Sequence, residues 1–323
     1  MDWRAERDRA LLALEREKRP QARAEAADLL VQLAAEEPSR ASEFSEALVR
    51  LLADAQGEVR RSGIGLATLV LTPEELPGAL TARLSDTDLG VRLEATGRIA
   101  DLALPELRGA LARMLEDPIP EIRFEAARGM AALKHSSGLD ILVEALDTDI
   151  LRFRALGALA ELGDARALPA VKRLFGRWLL PAFERTQAAG VLARLGDAEG
   201  AEYLLKRTQK KWSADRALAV ELCGEVKATG ALERLHAILR DPKDPCRGAA
   251  ARGLGRLGDP KALPWLLALL EDTAAPEDCR LDAADGLWRL GLPEGQARVK
   301  AAAPTFASPE AREELAELLQ EKP

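Results

Sequence analysis

An arginine three residues ahead of a small residue recurs along this chain, at Arg23–Ala26, Arg60–Gly63, Arg92–Ala95, Arg123–Ala126, Arg152–Ala155, Arg185–Ala188, Arg216–Ala219, Arg247–Ala250 and Arg280–Ala283. Successive arginines stand 37, 32, 31, 29, 33, 31, 31 and 33 residues apart. A near-constant period of this length with two helical patterns inside it is the signature of stacked helix pairs, in which each unit buries its apolar face only against its neighbours. The stretch 121–147, EIRFEAARGMAALKHSSGLDILVEALD, shows one such unit entire.

The first helix of each unit, helix A, follows Arg-x-x-Ala-x-x-x-Leu-x-x-Leu, as at Arg247, Ala250, Leu254 and Leu257. That spacing gathers small and apolar side chains on one helical face, and the alanines allow close helix approach. Helix A often ends in Leu-Gly-Asp, at 162–164, 195–197 and 257–259. The glycine supplies a left-handed helix end, and the aspartate caps the start that follows. Helix B reads Leu-x-x-Leu-x-x-Leu-Leu, as at Leu263, Leu266, Leu269 and Leu270, with Pro169 and Pro264 early, where a missing amide costs least.

Residues 2–18, with Trp3, Leu11, Leu12 and Leu14, predict a helix that covers the open side of the first repeat. Ser308-Pro309-Glu310 starts another, with Leu315, Leu318 and Leu319 facing the last repeat. The chain therefore reads as a single domain, 1–323: an N-terminal capping helix in 1–19, repeats over 20–303 and a C-terminal capping helix in 304–323. Two capped ends favour a monomer. The first repeat, about 20–56, is the longest, with Pro38 and Ser39 between the patterns 22–35 and 42–53.

Forty-six basic against fifty-three acidic residues give a net charge of −7, which disfavours a general nucleic-acid binder. The charged N-terminus lacks a signal-peptide core, and no apolar run reaches the 18 or so residues that span a bilayer, so no membrane insertion is expected. Cys223, Cys246 and Cys279 are odd in number and scattered, which points to a reducing, cytoplasmic setting without disulfides.

The strings Leu162–Pro169 (LGDARALP) and Leu257–Pro264 (LGDPKALP), with the D-P-x-x-x-x-R step at Asp117–Arg123, make the chain resemble the HEAT-repeat superfamily, most closely its bacterial HEAT-like branch named after the phycobilisome lyases. The resemblance covers about residues 20–300. It implies an all-α fold, a right-handed α-solenoid (superhelix) of about nine HEAT-like helix-turn-helix repeats, with the B helices on its concave surface. It also implies a role in protein–protein scaffolding. Four aspartates stand six residues ahead of a repeat arginine, at Asp54, Asp86, Asp117 and Asp241. By the same resemblance they form a ladder, each carboxylate accepting from the arginines of its own and the neighbouring unit. Leu179 and Lys210 occupy that place before Arg185 and Arg216, so two consecutive junctions lack the usual acid.

Those junctions lie in the one unusual segment. Residues 166–216 hold eleven basic and five acidic residues, +6 against −13 for the remainder. Lys172, Arg173, Arg177 and Trp178 in one unit, and Lys206, Arg207, Lys210, Lys211 and Trp212 in the next, fall at nearly equivalent positions roughly 10 Å apart in the stack. Arginine and tryptophan dominate binding hot spots, and a lysine-rich groove suits a protein or acidic peptide partner. The competing reading makes the cations a solvated face and the tryptophans fillers of irregular turns.

Asp278, Asp282 and Asp285 share one helical face, but Arg289 four residues on reads as a paired surface rather than a metal site. His135 and His236 sit in separate repeats without ligand-spaced partners, so no metal or cofactor is expected. Nucleophile elbows, phosphate loops and dinucleotide fingerprints are absent from the sequence. Two enzyme classes share the architecture, the bilin lyases and the HEAT-like alkylpurine DNA glycosylases, and these are the alternatives to a non-catalytic scaffold or adaptor.

Overall fold

The computed structural model describes residues 3–320, and among them no strand occurs. The chain packs as two compact units, Met1–Ala145 and Leu146–Pro323.

In the first unit α1 (Trp3–Arg16) precedes four A/B pairs: α2 (Pro20–Glu36) with α3 (Ser45–Leu52), α4 (Gly57–Val70) with α5 (Leu76–Arg83), α6 (Leu89–Leu102) with α7 (Arg108–Met114), and α8 (Pro120–Ala132) with α9 (Leu139–Ala145). The A helices stack in order, α2 on α4, α4 on α6 and α6 on α8; the B helices α3, α5 and α7 pack chiefly on the A helix of the following repeat, α4, α6 and α8, while α9 packs on α8. Their shared core runs through Leu30, Ile64, Ile99 and Met130, one apolar side chain from each A helix.

In the segment expected to hold the N-terminal cap lies α1, while Met1 and Asp2 are outside the described residues. Trp3 reaches the first repeat twice, donating from Nε1 to the Leu33 carbonyl at 3.1 Å and meeting Phe44 edge-on at 5.7 Å. Phe44 is fully buried and closes a 3-10 turn over Pro38–Phe44, so helix B of this repeat starts at Ser45 rather than at the Ser42 read from sequence.

The second unit holds five pairs: α10 (Asp149–Leu162) with α11 (Leu168–Phe175), α12 (Ala182–Arg194) with α13 (Ala198–Arg207), α14 (Arg216–Glu225) with α15 (Ala231–Leu239), α16 (Arg247–Leu257) with α17 (Leu263–Glu271), and α18 (Glu277–Leu290) with α19 (Pro293–Ala301). Its last helix, α20 (Pro309–Leu318), packs on α18, with Ala311 and Leu315 buried and Leu318 and Leu319 partly so. Residues 321–323 of the expected cap segment lie outside the described residues. Across both units the described helices make nine pairs.

The seam joining α14, α16 and α18 is the tightest in this unit, because glycines inside the A helices face one another. A Cβ on Gly255 would land on the Gly286 carbonyl and stand 2.5 Å from its Cα, and one on Gly224 would strike the Gly253 backbone. Only glycine permits backbones this close.

The arginine ladder exists, with a different wiring from the expected one. In the first unit each aspartate accepts from the arginine of the preceding repeat: Arg23 to Asp54 at 3.0 and 3.1 Å, Arg60 to Asp86 at 2.5 and 2.8 Å, Arg92 to Asp117 at 3.1 Å. The arginine of the same repeat takes that aspartate's main-chain carbonyl instead: Arg60 from Asp54, Arg92 from Asp86 and Arg123 from Asp117, at 2.8–3.0 Å. Arg60 and Arg92 thus each tie the turn before them to the turn after them, while Arg123 holds only the turn before it.

In the second unit the acids move. Arg152 finds Glu184 at 2.8 Å, Arg216 is held by both oxygens of Asp244 at 2.6 and 2.7 Å, and Arg280 turns to Thr305. Asp241, the expected acid, instead caps the Lys243 amide, while Asp244 three residues later takes the buried place.

Candidate functional surface

Two turns of the second unit, 176–181 and 208–215, carry the sequence-predicted cluster, and each is fixed from beneath. Arg185 donates to the carbonyls of Phe175 at 2.7 Å, Arg177 at 2.5 Å and Trp178 at 3.3 Å, so it gathers the first turn instead of reaching an acid. In the second turn Arg216 and Arg234 both donate to the Thr208 carbonyl, at 2.7 and 2.8 Å. Buried Asp215 accepts from Thr186 at 2.5 Å, from Arg207 at 2.6–2.9 Å and from Ser213. Burial alone would raise the Asp215 carboxyl, but these donors outweigh it and hold it at about 2.

The same bonds align the junctions. Arg152 with Glu184, and the Gln187 amide donating to the Phe153 carbonyl at 3.0 Å, set α10 beside α12. Thr186 with Asp215 joins α12 to the turn before α14. Helices α11 and α13 meet through Phe175 and Tyr203, edge-on at 5.2 Å.

The predicted residues separate into three groups on this frame. Trp178 and Trp212 point outward, 86% and 96% exposed. They do not fill their turns, since Arg185, Thr208 and Asp215 do that work. Arg173 and Lys210 are exposed and have no ion-pair partner among the described residues, and Lys211 has only Asp241 at 3.9 Å. Lys206 pairs loosely with Glu202 at 3.2 Å across one helical turn.

The remaining cations are engaged. Lys172 binds Asp197 at 2.7 Å, an interaction that raises the lysine and lowers the aspartate from their ordinary values, and Arg177 pairs with Asp147. Arg207 departs from the expected surface set, because its guanidinium closes on Asp215 inside the turn. The second unit has twenty-seven residues of each sign, so the +6 over 166–216 is a local excess that these pairs partly cancel.

Four exposed apolar side chains beside the cluster escape a reading based on charge: Ile150, Phe153, Leu179 and Phe183. Ile150 and Phe183 both stand two residues before a repeat arginine. Gln21, Glu58, Gly90, Glu121, Ala214, Pro245 and Asp278 hold that register elsewhere, all polar or small or, once, proline. Comparing the repeats at this one position is the signal that finds them.

The other chemical candidates are absorbed by structure. Asp282 binds Arg252, and Asp285 accepts from Arg289 at 2.8 Å. His135 caps a turn through Nδ1, which accepts from the Ser137 amide, as Asp164 and Asp259 do in their turns. His236 stacks flat on Trp265 at 3.6 Å, and Trp288 is buried. Cys223, Cys246 and Cys279 are free, and burial pushes the Cys223 thiol up to about 12. No described helix is long and apolar enough to cross a membrane.

Comparison with known families agrees with the repeat pattern. The family of HEAT repeats matches residues 77–155 and 212–288, and the PBS lyase HEAT-like repeat matches 151–176. No curated protein matches the sequence. Among solved structures, the complex of CpcE and CpcF of phycocyanin lyase from Nostoc sp. PCC7120 is similar at 18% identity, covering 85% of this chain and 92% of that one, with a TM-score of 0.44. Human deoxyhypusine hydroxylase in complex with glycerol is similar at 19% identity over 76% of this chain and 95% of that one, TM-score 0.31. A Kap121p mutant is similar at 13% identity over 97% of this chain and 40% of that one, TM-score 0.39.

Proposed function

The chain belongs to the HEAT-repeat superfamily, and from that premise we propose that it is a non-catalytic scaffold or adaptor that holds a protein or an acidic peptide on the turn edge of its second unit. The observation that carries the reading is the pair Trp178 and Trp212, exposed on turns whose backbones are pinned by Arg185, Thr208 and Asp215. An aromatic anchor on a backbone already held loses only its side-chain freedom on binding, so more of its contact energy appears as affinity. Arg173, Lys206, Lys210 and Lys211 surround them with positive charge that favours an acidic partner and speeds its approach. The non-catalytic part of the reading is supported by where two buried acids are spent. Asp215 and Asp244 are held by guanidinium groups within and between repeats.

The test is affinity capture from the native cell extract with the intact chain and with a variant carrying Lys206→Glu, Lys210→Glu, Lys211→Glu and Trp212→Ala, leaving structural Arg207 in place. A protein retained by the intact chain and lost by the variant supports the scaffold reading. Retention of DNA with a steep salt dependence, or of a coloured bilin adduct, would replace it with the glycosylase or lyase alternative.

A further inference from the structure

We infer that the partner is engaged through a short linear segment, acidic and carrying aliphatic or aromatic anchors, laid across three consecutive inter-repeat turns of the second unit. This rests on the scaffold reading and narrows it to a class of ligand. The surface is a ledge made by Ile150 and Phe153 at the start of α10, Trp178, Leu179 and Phe183 around the start of α12, and Trp212 before α14. Of these, Ile150 is 84% and Leu179 72% exposed.

Ile150 and Phe183 share one register in stacked repeats, and the Arg152–Glu184, Gln187–Phe153 and Thr186–Asp215 bonds hold the three turns side by side. The ledge is therefore one surface stepped by the repeat, roughly 10 Å per step and about 20 Å in all. A chain in the polyproline II conformation rises about 3.1 Å per residue with three residues per turn, so some six to eight residues cross it, and side chains three apart face the same way and meet successive steps. At the α13–α14 end the ledge runs into Lys210 and Lys211, and Arg173 stands on α11, which selects Asp or Glu flanking the anchors.

A lipid surface also accepts tryptophan and lysine, but a bilayer presents a wide plane that the whole chain, at −7, must approach. A segment meets only the turns, of which 176–181 and 208–215 are locally positive while the step at Ile150 carries exposed Asp149, so its acids belong toward Lys210 and Lys211. Charge thus favours the peptide over the bilayer.

The test selects a display library of random 16-residue peptides against the immobilised full chain, then measures the enriched peptides in solution. Expected are sequences with two apolar residues three apart flanked by acids. Their Kd should rise about tenfold or more with Lys210→Glu/Lys211→Glu, and separately with Ile150→Ser/Phe183→Ser. Circular dichroism melts confirm that each variant folds. Acrylamide quenching of the intact chain, in which peptide shields the most exposed tryptophans, gives a readout that needs no variant.

Loss with the charge variant alone, the ledge variant binding normally, overturns the linear-segment inference and leaves the scaffold reading standing. Peptides that bind both variants as well as the intact chain, or that leave quenching unchanged, overturn it as well. So does a library that yields no binder while vesicles of phosphatidylcholine with phosphatidylserine retain the chain. Partner capture by the intact chain in the preceding experiment, with any of these results, would place failure in the ligand class and not in the scaffold role.

Discussion

Replacing Asp244 by alanine removes both oxygens from a guanidinium that is 1% exposed and has no solvent to take their place. Breaking a buried pair from one side leaves an uncompensated charge, so Asp244→Ala should cost about 3 kcal/mol in urea unfolding. Glu202→Ala removes an exposed partner of Lys206 and should cost under about 0.5 kcal/mol. Equal losses in the two variants would mean that the ladder contributes no more than a surface pair. His236 gives a pH signature at the same scale. Burial first and Arg240 second lower its pKa from 6.5, so between the folded and ordinary values the unfolded chain binds more protons. Stability then rises with pH through this window and falls as the pH drops below 6.5. The acids held at about 2, Glu17, Asp164 and Asp215, lose their contribution only in stronger acid. His236→Phe keeps a ring on Trp265 and removes the proton. Its melting temperature, relative to the intact chain, should improve between pH 7.5 and pH 5.5; an unchanged difference would rule the histidine out.

At the scale of the element, glycine and alanine have opposite effects at two kinds of position. Ala103 ends α6 with φ 47°, in the left-handed conformation that Gly163, Gly258 and Gly291 take at other helix ends. Ala103→Gly should therefore raise stability by about 1 kcal/mol, since the strain removed exceeds the added unfolded-state entropy. Gly255→Ala should lower it by roughly 1–3 kcal/mol, because the added methyl meets the Gly286 backbone rather than a movable side chain. Chemical denaturation of the two variants checks both signs. The contrast also marks what the sequence made legible. Period, helix pairing, helix ends and caps followed from Arg, Leu-Gly-Asp and the leucine pattern, because each repeats. The glycines within the α14–α16–α18 seam were not read as contact points, because a glycine inside a helix shows no partner in sequence. Asp241 and Asp244 are indistinguishable in the string DPKDPC until the turn's geometry chooses which one faces Arg216. Arg207 looked like its lysine neighbours, and only the folded turn brings Asp215 within its reach. Among candidate binding residues, Trp178 and Trp212 were legible as departures from the repeat, whereas Ile150 and Phe183 were hidden by their ordinary apolar character.

At the scale of the whole molecule, stability in a repeat array is a sum of unit terms and nearest-neighbour terms, so a local lesion spreads only as far as its neighbours carry it. The first unit has nineteen basic and twenty-six acidic residues, and so carries the entire net charge of −7, while the second is balanced. The two also differ in how they are stitched: Asp54, Asp86 and Asp117 sit regularly in the first, while Glu184, Asp215, Asp244 and the glycine seam serve the second. Gly255→Ala strikes that seam directly. Hydrogen exchange read by mass spectrometry should show faster exchange across α14–α18 in this variant, with amides of α2–α8 keeping their intact rates, because opening free energies are set locally. Uniform acceleration along the chain would mean that the molecule unfolds as one cooperative body. A confined change would mean that the candidate turns beside α12 and α14 belong to a separately stabilised segment, whose order a bound partner could raise without disturbing the rest.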